Sequence, residues 1–381
     1  MRKWINILLV GILTGVLFVP MAFQYVPVTL NLTPLAGENE VVVMPRLQDS
    51  TFFSGSYQDS LSVHAEKKNG LRNLCIRVEA QLLYSVFGEG QLPVSPGVYP
   101  YLFTEGYLEK WSGLHPESEK VLNERFNQLD SLNQWLAARN KKLLLVLAPG
   151  KATFQQEYIT GYYKRKKQAT NDYSRVKTQM EASNIPFIDF QSYFLKLKDT
   201  CQHPIFPKQG EHWTTYAASL GYDSISRRIE QLLNKKMEQI TWTGGIATTN
   251  EENGENDIYC IMNLFTPAAP DTFYLPWFHK QSDTVGLYRP RVLLIADSYV
   301  WPILKSYVNY NLSPESKFWW HNGTEWALCG PYLSPKPISS LNIHDEVLKY
   351  DIVIFMWAEL NYANYDEGFY HYILEAERRH Q

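Results

Sequence analysis

The chain has 381 residues, 45% of them apolar and 20% charged, with a net charge of -3. This is the composition of an ordinary globular protein, long enough for two domains or one large one. The near-neutral charge excludes a global electrostatic pull toward nucleic acid.

The first element is apolar. After "MRK", the run Trp4 to Phe23 carries no charged residue. At about 1.5 Å rise per residue it spans about 30 Å, the thickness of a bilayer core. It has no clear A-x-A cleavage site and is long for the core of a signal peptide, so an uncleaved signal anchor is expected over residues 1–25. Arg2 and Lys3 orient it with the N-terminus in the cytoplasm and the rest of the chain outside.

Residues 26–110 read as irregular, with Pro and Gly signals such as "PGVYPYLF". From Ser118 the texture changes. Val121, Leu122, Phe126, Leu129, Leu132, Trp135 and Leu136 recur at helical spacing, with Ser118 as the cap. "KKLLLVL" then reads as a buried strand closed by Pro149-Gly150. A polar helix over about 171–183 leads to the strand "IPFIDF". The segment after "GEHW" is an amphipathic helix with Ala217, Leu220, Ile225, Ile229, Leu232 and Leu233 inward.

Residues 236–285 break the rhythm and read as an insertion or a long loop. The strand "RVLLIA", a helix near Trp301 to Tyr307, the aromatic strand "KFWWHN", the strand "YDIVIFM" and a C-terminal helix follow. Strands that alternate with helices predict an α/β fold, a mainly parallel sheet with helices on both faces, over 111–381. The four cysteines are widely spaced, with no C-x-x-C pair and no zinc motif; no metal or cofactor is expected. The 25 Tyr and 11 Trp suit sugar stacking, but core filling is their commoner use.

Ligands of such sheets bind at the carboxyl ends of the strands. Ser298, in "IADSYV", sits there at a strand-to-helix turn, where free backbone N–H groups can stabilise an oxyanion. Ser298 or Asp297 can equally be a plain helix cap. His212, in "GEHWTTYAA", is the natural base for the serine, the alternative being a packing histidine. "MWAELNY" supplies Glu359 as a carboxylate and Asn361 as an amide donor; Asn322, in the turn after the aromatic strand, is a second donor. Lys151, at the end of "LAPGK", can pair with an acidic sugar or orient a loop. Simple loop polarity is the competing explanation for each of these.

Taken together, these segments resemble the SGNH hydrolase-like domains of the alginate O-acetyltransferase family, over most of residues 50–381. "LLLVLAPGKATFQQEYI", "IFPKQGEHWTTYAA", "RVLLIADSYV" and "DIVIFMWAELN" carry the resemblance. It implies a three-layer SGNH-like fold behind one N-terminal transmembrane helix, in the bacterial inner membrane with the catalytic domain in the periplasm or outside. It also implies an O-acetyltransferase that acylates Ser298 with His212 as base, then passes the acetyl group to a polysaccharide hydroxyl. A membrane-bound O-acyltransferase is the expected partner and acetyl donor. Trp213 and Asp297 join Asn361, Asn322 and Lys151 as candidates for oxyanion or substrate binding.

One departure stands out. The family carries an aspartate two residues before the histidine, and this chain has Gly210 there. The acid of the triad is then expected from Glu211, from Glu359, or from nowhere. The alternatives to a transferase are an SGNH carbohydrate esterase and a non-catalytic polysaccharide-binding subunit.

Overall fold

The computed structural model describes residues 2–22, 34–37, 46–67, 71–91, 93–249, 255–281, 284–329, 335–365 and 368–380. The chain divides into two compact units, residues 1–91 with 259–268, and residues 92–258 with 269–381.

In the first unit the N-terminal run forms the helix Arg2–Ala22. Its described side chains, 3–15 and Phe18, are exposed apart from Gly15; Phe23 lies outside the described residues. Among the described residues, no helix is long and apolar enough to cross a membrane. Beyond it lie the helices Asp49–Phe53, Ser56–Lys67 and Arg72–Leu82, where the sequence reads as irregular. Few of their residues are buried, so the periodicity that betrays a helix in sequence is weak there.

The second unit carries the sheets. Strands β1 (Val94–Pro96) and β2 (Leu102–Thr104) form a small antiparallel pair. The main sheet is built from β3 (Lys142–Leu147), β4 (Phe187–Asp189), β7 (Val292–Ala296), β8 (Lys317–Trp320), β9 (Thr324–Ala327), β10 (Lys336–Pro337) and β11 (Ile352–Trp357). Its order is β10-β9-β8-β7-β11-β3-β4. The run from β8 to β4 is parallel, while β9 and β10 extend the edge antiparallel, so the sheet is mixed. The remaining pair, β5 (Thr241–Thr248) and β6 (Phe273–His279), is antiparallel and lies within the segment read as an insertion; residues 250–254 and 282–283 of that segment lie outside the described residues.

The strands explain the layers. In β3, β7 and β11 nearly every residue is buried, and successive side chains enter opposite cores. Leu144, Val146, Leu294, Ala296, Ile354 and Met356 face one core; Leu143, Leu145, Ile295, Val353 and Phe355 face the other. Each fully buried aliphatic side chain contributes about 1.5–3 kcal/mol, which is why these runs form the centre of the sheet. The helix Thr215–Leu233 covers the first face with Ala217, Ala218, Ile225 and Ile229. The helix Glu119–Ala137 covers the second with Leu122, Leu129, Leu132 and Leu136, and Ser118 caps it by accepting from the Val121 N–H at 3.2 Å. This is the three-layer α/β arrangement, and it brings the carboxyl ends of β7 and β11 side by side.

Candidate active site

β7 ends at Ala296, and Asp297 follows as an N-cap whose Oδ1 accepts the Tyr299 N–H at 3.0 Å. Its Oδ2 accepts the Ala358 N–H at 2.7 Å and the Asn361 side-chain amide at 3.0 Å. Asp297 is buried, and burial pushes its carboxyl up, against these hydrogen bonds. The side chain thus ties the turn after β7 to the turn after β11 and leaves Ser298 half-buried at the strand end.

His212 comes from the loop before the helix Thr215–Leu233. Its neighbours lock it onto the serine turn. Trp213, fully buried, donates its indole N–H to the Tyr299 carbonyl at 2.8 Å. Tyr299 donates its hydroxyl to the Glu211 carbonyl at 2.9 Å. The residue on each side of the histidine is therefore bonded to the residue after the serine.

Between these clasps, His212 Nε2 lies 2.8 Å from Ser298 Oγ. His212 Nδ1 lies 2.6 Å from Oδ2 of Asp257. With Asp257 ionised, Nδ1–H donates to the carboxylate and Nε2 accepts the serine hydroxyl. Burial works to lower the His212 pKa, but the hydrogen bond and charge of Asp257 outweigh it, and the pKa is raised. Burial raises the Asp257 pKa, and the His212 contact more than reverses that, so the pKa is lowered. The side chains of His212 and Asp257 are 29% and 34% exposed, open to a substrate from the rim. Serine, histidine and aspartate so arranged can activate a hydroxyl nucleophile and hold the imidazolium that forms.

The carboxylate bonded to His212 is Asp257, whereas the sequence reading looked for the acid at Glu211, at Glu359 or nowhere. Glu211 turns its carboxylate away, accepting from the Thr104 hydroxyl at 2.6 Å and the Thr104 N–H at 3.3 Å. Glu359 accepts from the Thr153 hydroxyl at 2.7 Å. Asp257 instead opens the short helix Asp257–Ile261 inside the presumed insertion. No nearby motif marks it, because its partner lies 45 positions away in sequence. A signal existed in Gly210 itself: an ideal Cβ there would lie 2.4 Å from the carbonyl oxygen of Glu255. The backbone that leads into Asp257 occupies the space a side chain at position 210 would need.

The other candidates separate. Lys151 does not face a substrate: it is fully buried and donates to the carbonyls of Leu102 and Gly210 at 2.6 Å and of Lys208 at 3.0 Å. Burial pulls its ammonium down to about 8. It orients the loop before His212, the second of the two uses expected for it. Trp213 is enclosed by Phe190, Phe194 and Tyr299, a packing residue rather than a platform for a sugar. Asn361 is engaged with Asp297. Asn322 lies two residues beyond Trp320, which pairs with Ala296 in the register of β7 and β8, as Ser298 lies two beyond Ala296. It is buried, and among the described residues neither atom of its amide has a hydrogen-bond partner. Cys75, Cys201 and Cys329 are free thiols.

Fold and site together define an α/β domain of SGNH-like type. Residues 96–271, a little under half of the chain, match the model of the SGNH hydrolase-like domain of acetyltransferase AlgX, and over that stretch the chain is similar to the alginate O-acetyltransferase-like family. The match includes His212 and Asp257 and stops before Ser298. A curated relative, the probable alginate O-acetylase AlgJ of Pseudomonas putida, is 21% identical over 193 residues, which are 50% of this chain and 48% of the relative. The matched stretch thus spans about half the length of that relative. Among solved structures, the O-acetyltransferase domain of Pseudomonas putida AlgJ is similar with a TM-score of 0.46 at 15% identity, covering 71% of this chain and 92% of that one. Pseudomonas aeruginosa AlgX is similar with a TM-score of 0.47 at 14% identity, covering 73% and 67%.

Proposed function

We propose that the protein is an extracytoplasmic O-acetyltransferase that moves acetyl groups onto hydroxyls of an exopolysaccharide or cell-surface glycan through a serine acyl-enzyme. The observation that carries this is the unbroken contact from Asp257 through His212 to Ser298, 2.6 and 2.8 Å. The likeness of residues 96–271 to the AlgX acetyltransferase domain and the similarity to the probable alginate O-acetylase AlgJ support the acetyl group and the glycan as the reactants.

In the first half-reaction Ser298 Oγ attacks the acetyl carbonyl carbon of a donor ester while its proton passes to His212 Nε2. The tetrahedral oxyanion collapses, the donor alcohol leaves with that proton, and acetyl-Ser298 remains. A sugar hydroxyl then attacks the acetyl carbon and gives its proton to His212, which returns it to Ser298 Oγ as the ester bond to the enzyme breaks. Asp257 holds the imidazole in the right tautomer and stabilises its cation. The Ser298 N–H and the Asn322 amide are the oxyanion donors. Asn361 and Asp297 position the nucleophile. No cofactor enters either step.

The signal anchor is residues 1–25: no helix among the described residues is by itself long and apolar enough to cross a membrane, and the reading is supported by the exposed apolar side chains from Trp4 to Leu13 of the helix Arg2–Ala22 and by Arg2 and Lys3 at its start. It holds the enzyme at the outer face of the inner membrane, where a membrane-bound O-acyltransferase supplies the acetyl group.

The test is to give the full-length chain in detergent an activated acetyl ester and an oligosaccharide, and to weigh the products. Acetylated sugar is expected, with Ser298→Ala and His212→Ala inactive and Asp257→Asn slower by about 10⁴ in kcat. Free acetate as the sole product would make the protein a carbohydrate esterase. Inertness toward every ester and glycan would make it a binding subunit.

A further inference from the structure

We infer that Glu255 is a positioning residue for the triad acid, a clip that fastens the acid-bearing loop to the helix behind His212, and that Gly210 is the vacancy this loop requires. The inference rests on the triad reading above.

The loop enters the site with Glu255 and Asn256 and delivers Asp257. Three sets of contacts hold it. Glu255, buried, accepts the backbone N–H of Thr215 at 2.9 Å and its hydroxyl at 2.8 Å, both on Oε1. Thr215 is the first residue of the helix Thr215–Leu233, so the carboxylate also sits where the helix dipole favours negative charge. Next, the Glu255 carbonyl and the Pro207 ring close over Gly210, at 2.4 and 2.8 Å from where a Cβ would be. Finally, Asp257 Oδ1 accepts the Glu211 N–H at 2.7 Å, which aims Oδ2 at His212. The Gly210 carbonyl on the opposite side is held by Lys151.

The histidine loop and the acid loop are thus fastened at both flanks of His212: at Glu211 by Asp257 itself, and at Thr215 by Glu255. An acid borne two residues before a histidine is placed by its own chain. An acid borne 45 positions away needs an external reference, and Thr215, three residues after His212, provides one. Glu255 touches no reacting atom in this scheme. It acts only through Asp257, and that makes the idea testable by coupling.

The experiment measures the rate at which phenylmethanesulfonyl fluoride labels Ser298 in the full-length chain, by intact mass, from pH 5 to 9. Glu255→Ala is expected to slow labelling by about 10²-fold, the order expected when a catalytic group is misplaced by about an ångström. The midpoint of its pH profile is expected to fall toward the ordinary histidine value of about 6.5, because Asp257 no longer raises it. Glu255→Gln, which keeps the accepting oxygen, should label near the parent rate. Gly210→Ala should behave as Glu255→Ala does. In the Asp257→Asn background, Glu255→Ala should change nothing further. An unshifted pH midpoint in folded Glu255→Ala, or a loss that multiplies with that of Asp257→Asn, would overturn the inference while leaving the triad intact. Parent protein that is not labelled at Ser298, or whose labelling is indifferent to His212→Ala, would overturn the triad reading and this inference with it. If Glu255→Ala does not fold, Thr215→Val removes one bond of the same clip and must show the same midpoint shift.

Discussion

Glu359 lies beneath the turn after β11, and its environment sets its chemistry. Burial pushes its carboxyl up to about 7, with the Thr153 hydroxyl opposing. Oε1 has a partner, and Oε2 is buried without one among the described residues. A carboxyl whose pKa is higher folded than unfolded binds its proton more tightly in the folded state. Its contribution is fully present below the ordinary value of 4.5 and is lost as pH rises through about 7. The difference corresponds to about 3 kcal/mol. Glu359→Gln has no proton to lose, so its stability relative to the parent should rise between pH 4.5 and pH 8, read from urea midpoints at each pH. Its acetyl-transfer rate should stay near that of the parent. A constant difference across that range would show that Glu359 does not titrate there. Glu211 is likewise raised to about 7 by burial, although Lys151 and Thr104 draw it down. These two carboxyls looked catalytic in the sequence because they flank the right motifs. Sequence order does not show which way a side chain points.

The elements that carry Ser298 and His212 were legible for a physical reason. β7 is buried on both faces, so it must be a continuous apolar run, and the polar residues that end it stand out. The helix after His212 shows its apolar stripe in the same direct way. What holds the two ends together was not legible. The crossed bonds among Trp213, Tyr299 and Glu211 join segments 86 and 88 positions apart. Gly221 belongs to the same construction. It lies on the helix Thr215–Leu233, and an ideal Cβ there would come within 2.7 Å of the Trp213 ring. Gly221→Ala must displace the indole or bend the helix, at about 1–3 kcal/mol by the usual cost of overpacking. Because the indole is the neighbour of His212, kcat should fall along with the urea midpoint, with KM little changed. A stability loss with unchanged kcat would mean that the histidine loop adjusts independently of its tryptophan.

At the scale of the whole molecule, the mixed sheet keeps its parallel centre for the site and its antiparallel strands for the edge. The insertion, which sequence reading set aside as a break in rhythm, supplies both the β5–β6 pair and Asp257, the carboxylate bonded to His212. The proposed anchor has its own test. Cells expressing the full-length chain should retain it in the inner membrane after carbonate extraction, and protease admitted through a permeabilised outer membrane should digest residues after the helix Arg2–Ala22. Release by carbonate, or protection from the protease, would overturn the anchored, outward-facing arrangement.

The amino-acid sequence by itself determined the α/β alternation and the strands that form the sheet centre, and the resemblance of its motifs paired Ser298 with His212. The first two are written in local pattern, as apolar periodicity. Only the tertiary structure decided which carboxylate meets His212, the burial of Lys151 and the bonding of Asp297 to Asn361. Those depend on which distant backbone fills the space beside Gly210 and on which carbonyls a buried ammonium can reach. Contacts of that kind arise where chain segments remote in sequence meet, and no local spacing encodes them.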